Sequence, residues 1–89
     1  MKTIYKYAIG ITDEQAVTMP RGAKILSAGL DPQGNPCVWA EVDTDEKDIS
    51  VTIEIFGTGN PIQPHPRKFI GTFVDDVFVW HVYEKGRTD

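Results

Sequence analysis

Val51-Thr52-Ile53-Glu54-Ile55-Phe56 runs directly into Gly57-Thr58-Gly59-Asn60-Pro61-Ile62, and this junction constrains the chain more than any other stretch. Val51, Ile53 and Ile55 share one face at the two-residue period of a strand, and Thr52 and Glu54 share the other. Phe56 breaks the polar face where the chain enters Gly57-Thr58-Gly59. The strand end is therefore expected to tuck an aromatic under the loop that follows. The residues on either side of this stretch read as further strands and turns.

With 89 residues the chain permits one domain, 1–89, whose last residues, 85–89, read as a frayed tail. A chain of this size buries roughly 60% of the surface it exposes when unfolded, enough for one modest core. Four Phe, three Tyr and two Trp supply large pieces for that core. The residues expected to be largely buried are Tyr5, Ile25, Val38, Trp39, Ile53, Ile55, Phe73, Val79 and Trp80. So many aromatics on short strands exceed what one pair of sheets covers, so self-association, most simply as a symmetric dimer, is expected.

Along the chain, Thr3 to Ile9 alternates as a half-buried strand. Thr12 or Asp13 is placed to cap at most one turn of helix. Ala16 to Met19 is extended and closed by Pro20. Ala23 to Leu30 reads as a strand with a bulge near Gly29. Asp31-Pro32-Gln33-Gly34-Asn35 is a reverse turn between two apolar runs. The returning run, Pro36 to Val42, is apolar on nearly both faces and is expected to be covered on both sides. Asp75-Asp76 is flanked by Phe69 to Val74 and Val77 to Glu84 as a two-residue hairpin turn. Six to seven short strands with no helix of consequence predict an all-β fold, a small antiparallel sandwich or barrel.

Two loops carry the candidate chemistry. Glu41, Asp43, Asp45, Glu46 and Asp48 against Lys47 give a local charge of −4, equal to the formal charge of the whole chain. Asp43, Asp45 and Glu54 have the spacing of three calcium-loop ligands, but Lys47 and Asp48 stand where a ligand and the sharp-turn glycine belong. No metal is therefore assigned, and Asp43, Asp45 and Glu46 read as a solvated hairpin loop or an acidic contact surface for a basic partner. Gly57-Thr58-Gly59-Asn60 either reverses the chain tightly or presents amides to an anion. The prolines that follow are stiff and lead through His65 to Arg67 and Lys68. A loop of about a dozen residues is longer than a compact domain needs. Gly57, Thr58, Gly59, Asn60, His65, Arg67 and Lys68 are accordingly the candidate binding residues. Arg67 and Lys68 are taken as exposed cations whose joint removal leaves the melting temperature nearly unchanged.

An excess of carboxylates disfavours a partner held by its phosphates, as nucleic acid is. The single Cys37 forms no internal disulfide, and no apolar run reaches the length of a membrane span. These features predict a cytoplasmic protein with no cofactor. An enzyme would rest on Cys37 paired with His81, which requires neighbouring strands and an exposed thiol.

Met-Lys-Thr-Ile-Tyr-Lys-Tyr at the start, Ile-Thr-Asp-Glu-Gln at 11–15, Cys37-Val38-Trp39-Ala40, Ile55 to Ile62 with its Phe-Gly-Thr-Gly-Asn-Pro-Ile, and Val79-Trp80-His81-Val82-Tyr83-Glu84 resemble a family of small uncharacterised bacteriophage and prophage proteins. Members often carry His where this chain has Asn60, so a role requiring an imidazole there does not carry over. The resemblance brings no catalytic motif. It implies a phage accessory protein made in the bacterial cytoplasm. Two non-catalytic functions follow: a module that captures a host protein or a small anionic ligand, or a self-associating structural or regulatory part of the phage programme.

Overall fold

The computed structural model describes residues Met1–Asp89 as seven strands and no helix: β1 (Lys2–Ala8), β2 (Glu14–Pro20), β3 (Lys24–Leu30), β4 (Pro36–Asp43), β5 (Asp48–Gly57), β6 (Lys68–Asp75) and β7 (Phe78–Thr88). They form two antiparallel sheets, one in the order β1-β4-β3 and the other β2-β5-β7-β6. The all-β expectation holds.

The core follows from the two-residue period of the central strands. β4 contributes Val38, Ala40 and Val42, and β5 contributes Val51, Ile53 and Ile55, all buried in one cluster with Met19, Phe73 and Val82 of the other strands. Where β6 meets β3, a Cβ added at Gly71 would lie 3.4 Å from the backbone nitrogen of Ala28. A glycine lets the two sheets approach there, backbone to backbone.

Burial differs from expectation at five aromatic and aliphatic positions. Tyr5 is 44% exposed, because it lies on β1 at the rim of the smaller sheet and packs edge-on against Tyr7. Ile25, Trp39, Val79 and Trp80 are half-buried. Trp39 and Val79 alternate with the buried Val38 and Val82 on the outer faces of their sheets, and Trp80 stacks on the exposed Phe78.

The 31–35 turn forms as expected. Gly34 adopts φ +84°, and Asp31 Oδ1 accepts the amides of Gln33 and Asn35, both at 2.9 Å, while Lys6 Nζ donates to Oδ2 at 2.9 Å. The second hairpin turns one residue later than expected, on Asp76-Val77, with Asp76 at φ +57°. No helical turn forms at Thr12-Asp13. Instead the Gln15 side chain closes the bend by accepting from Gly10 N at 3.0 Å and donating to its carbonyl at 2.7 Å. The β3 bulge lies between Ile25 and Ser27, not at Gly29. Lys85 to Thr88, expected as a frayed tail, continues β7 against Ser50, Val51 and Thr52. The acidic loop is no hairpin: β4 and β5 belong to different sheets, so it carries the chain across from one to the other.

Candidate functional site

On the outer face of the four-stranded sheet, one row crosses every strand. Glu14 of β2 pairs with Glu54 of β5, Glu54 with Tyr83 of β7, and Tyr83 with Phe69 of β6. A carboxylate on such a face is ordinarily solvated. Glu54 is 7% exposed, because the 57–68 segment folds back across the sheet as a strap and covers it.

The strap is fastened at both ends. At its far end, Arg67 Nε donates to Glu54 Oε1 at 3.0 Å, and Nη2 donates to the Gln63 carbonyl at 2.9 Å and to His65 Nε2 at 2.6 Å. The guanidinium also lies 5.4 Å from the ring centre of Phe56 and 5.9 Å from that of Tyr83, within cation–π range of both. Phe56 meets Tyr83 edge-on, as Phe69 does from the other side. The aromatic expected under the loop is therefore there, capped by the loop's own arginine. At the near end, Thr58 Oγ1 lies 2.8 Å from His81 Nε2, and Thr72 Oγ1 lies 2.9 Å from Nδ1.

Burial pushes the Glu54 carboxyl up, but the hydrogen bond and charge of Arg67, followed by those of His65, outweigh it and hold the group below the usual carboxylate range. Between the strap and the start of β2 lies a cleft of about 440 Å³, with Asp13, Glu14, Glu54, His65 and Lys85 among its walls. Lys85 Nζ donates to Glu14 Oε1 at 2.8 Å, which raises the ammonium above its ordinary value. Both cations near the cleft, Arg67 and Lys85, are thus already paired with a carboxylate. The same pairs occupy Glu54 and Glu14, which leaves Asp13 as the charged wall residue without an ion pair and gives the cleft a net negative charge.

Residues 1–89, the whole chain, match the family model described as a domain of unknown function, DUF7352. The chain belongs to this family. No curated protein and no solved structure matches it.

In this DUF7352 domain the sequence-predicted residues separate into four groups. His65 and Arg67 converge on Glu54, and Thr58 ties to His81. Arg67 is not the exposed cation expected of it: its side chain is 11% exposed and spent on Glu54. Lys68 is exposed and begins β6 opposite Glu84. Gly57, Gly59 and Asn60 make the turn, with Gly59 at φ +90° and Asn60 N donating to the Gly57 carbonyl at 3.1 Å. Asp43, Asp45 and Glu46 lie at the other end of β5, some 30 Å away at the rise of an extended strand. There the Met1 amino group donates to Asp43 Oδ1 at 3.2 Å and to Asp45 Oδ2 at 2.8 Å.

The Cys37–His81 pairing fails both its conditions. Cys37 is 1% exposed on β4 of the smaller sheet, and His81 lies on β7 of the larger one with both ring nitrogens taken by threonines. Glu14, Gln63 and Lys85 escaped sequence reasoning, which gave Glu54 only a calcium-loop spacing and Asp13 only a helix cap. A faint signal existed, in that Glu54 is followed on its strand's outer face by the out-of-pattern Phe56.

Proposed function

We propose that this DUF7352 domain is a non-catalytic binding module whose contact surface is the 57–68 strap together with the cleft beside it. The observation that carries this reading is the anchored strap. A long connection is held closed by a nearly buried ion pair, two cation–π contacts and a threonine–histidine tie, which leaves its outward residues pre-ordered. A segment stiffened by its prolines loses little freedom on binding. In the phage accessory role that the sequence resemblance implies, the partner is a host protein met in the bacterial cytoplasm. A protein offering lysine, arginine or amide donors fits better than a small anion, because the cleft's cations are paired with Glu14 and Glu54 and the carboxylate left over is Asp13.

Affinity capture from bacterial lysate tests it, using wild type, Asn60→Ala with Gln63→Ala, and Asp45→Ala with Glu46→Ala. A stoichiometric polypeptide lost only with the strap variant supports the reading. Loss only with the acidic-loop variant moves the working surface to the far end of β5.

Self-association is the second reading, and one feature favours it. Phe69, Val74, Val77 and Phe78 are 54%, 61%, 79% and 57% exposed along β6 and its hairpin, a run of apolar side chains with nothing covering it. A monomeric mass by light scattering at tens of micromolar would remove this reading.

A further inference from the structure

The two imidazoles of the chain fasten the two ends of the strap, and they answer to a proton in different ways. Both partners of His81 are hydroxyls, Thr58 and Thr72, and a hydroxyl either donates or accepts. A second proton on that ring is met by turning one hydroxyl, and both contacts survive.

His65 has no such latitude. A guanidinium carries only donors, so the 2.6 Å contact from Arg67 Nη2 requires a lone pair on His65 Nε2. The ring proton then sits on Nδ1, where it donates to the Pro66 carbonyl at 2.8 Å. A proton added at Nε2 removes the acceptor and sets two cations against each other at that separation. The nearest acceptor for the new N–H is Glu54 Oε2, 3.3 Å away. The remaining charges around the site are Asp13 and Glu14 across the cleft and Lys85 on β7, with Lys85 held by Glu14.

We propose that His65 is a proton-operated latch on the strap. Neutral, it accepts from Arg67 and the strap lies closed on the sheet. Protonated, it donates Nε2–H to Glu54 and expels Arg67 Nη2, so the Gln63 carbonyl loses its donor and the Pro61 to Pro64 portion is released between His65, now tied to Glu54, and the Thr58–His81 tie. Opening widens the cleft at Asn60, Pro61 and Gln63, while Arg67 stays over Phe56 and Tyr83 through its Nε bond to Glu54. The latch stands on donor and acceptor geometry alone, and holds or fails whatever the strap binds.

Nuclear magnetic resonance of the full chain between about pH 8 and 5, the range in which imidazoles take up their proton, tests it. The Arg67 Nε–H signal and the amides of Gln63, His65 and Arg67 are expected to shift along the same one-proton curve as the His65 ring, and to ignore the curve of His81. His65→Gln offers Arg67 an amide oxygen at every pH and is expected to abolish that response. Titration of the His65 ring with the strap signals unmoved would overturn the latch, as would an unchanged strap response in His65→Gln. If that variant does not fold, the wild-type curves alone decide.

Discussion

Arg67 and Glu54, thirteen positions apart, meet at 3.0 Å on the outer face of the larger sheet with both side chains about nine-tenths buried. This pair turns a long proline-rich connection into a fixed part of the domain. It also reverses an expectation drawn from sequence, since a cation of this kind is not a bystander in folding.

Arg67→Ala leaves the Glu54 carboxylate covered and short of its main partner. Removing one member of a buried pair costs about 3 kcal/mol or more, which in a domain of this size lowers the melting temperature by about 12 to 24 °C. Lys68→Ala, at an exposed position, should change stability by less than about 0.5 kcal/mol. Thermal unfolding of the two single variants separates them. Equal and small shifts would mean that Glu54 finds water once the arginine is gone.

Acid should loosen the same pair. The folded-state value of Glu54 lies below its unfolded one, so its carboxylate contributes stability that is complete above the ordinary value of 4.5 and is lost as pH falls through the lowered one. Asp31 and Asp43 are also held low, the first mainly by the Asn35 amide and Lys6, the second mainly by the Asp45 amide and the amino terminus. They leave a background slope in any variant. Glu54→Gln is expected to be less stable than wild type at pH 7, and to lose less stability on going to pH 3 in urea titrations. Parallel losses in the two proteins would show that Glu54 carries none of the acid sensitivity.

Much of the fold was legible because it is written in period. Val51, Ile53 and Ile55 point inward as their spacing requires, and the 31–35 turn sits where Asp31, Pro32 and Gly34 put it. The site was less legible, for a physical reason. Glu54 alternates as a solvent-facing residue should, and only a segment returning from thirteen residues downstream changes its surroundings. Tyr5 shows the converse: its alternation is that of a buried face, but β1 is an edge strand and leaves the ring 44% exposed. Alternation fixes which side of a sheet a residue takes. Whether that side is covered depends on what crosses it, and charge patterns within one strand carry no record of that.

Ile53 tests the inner face of the same strand. It is fully buried between the sheets, with Val51 and Ile55 on either side. Ile53→Ala removes buried carbons and leaves a cavity that two sheets, each held rigid by its own backbone hydrogen bonds, close only in part, at a cost of about 2 to 5 kcal/mol. Chemical denaturation measures it. A loss under about 0.5 kcal/mol would be that of a surface position and would contradict the packing.

Cys37 reports on the outer face of the smaller sheet. It pairs with Ala8 on one side and Gly29 on the other, two small neighbours, and Trp39 follows two residues later on the same face. The space above Gly29 is taken by the Trp39 ring, whose Cζ3 would lie 3.6 Å from a Cβ built there. Burial pushes the Cys37 thiol up, and the nearby Asp31 carboxylate adds to this, so both access and ionisation protect it. In the native chain a thiol reagent at pH 8 should label Cys37 at least about a hundredfold more slowly than in the unfolded chain, at a rate that follows global unfolding. Trp39→Ala removes the cover without disturbing the inward-facing Val38 and Ala40. Its Cys37 is expected to react well before the far-ultraviolet signal of the sheets is lost, and labelling that still waits for global unfolding would show that the strand pairing, not the indole, shields the thiol.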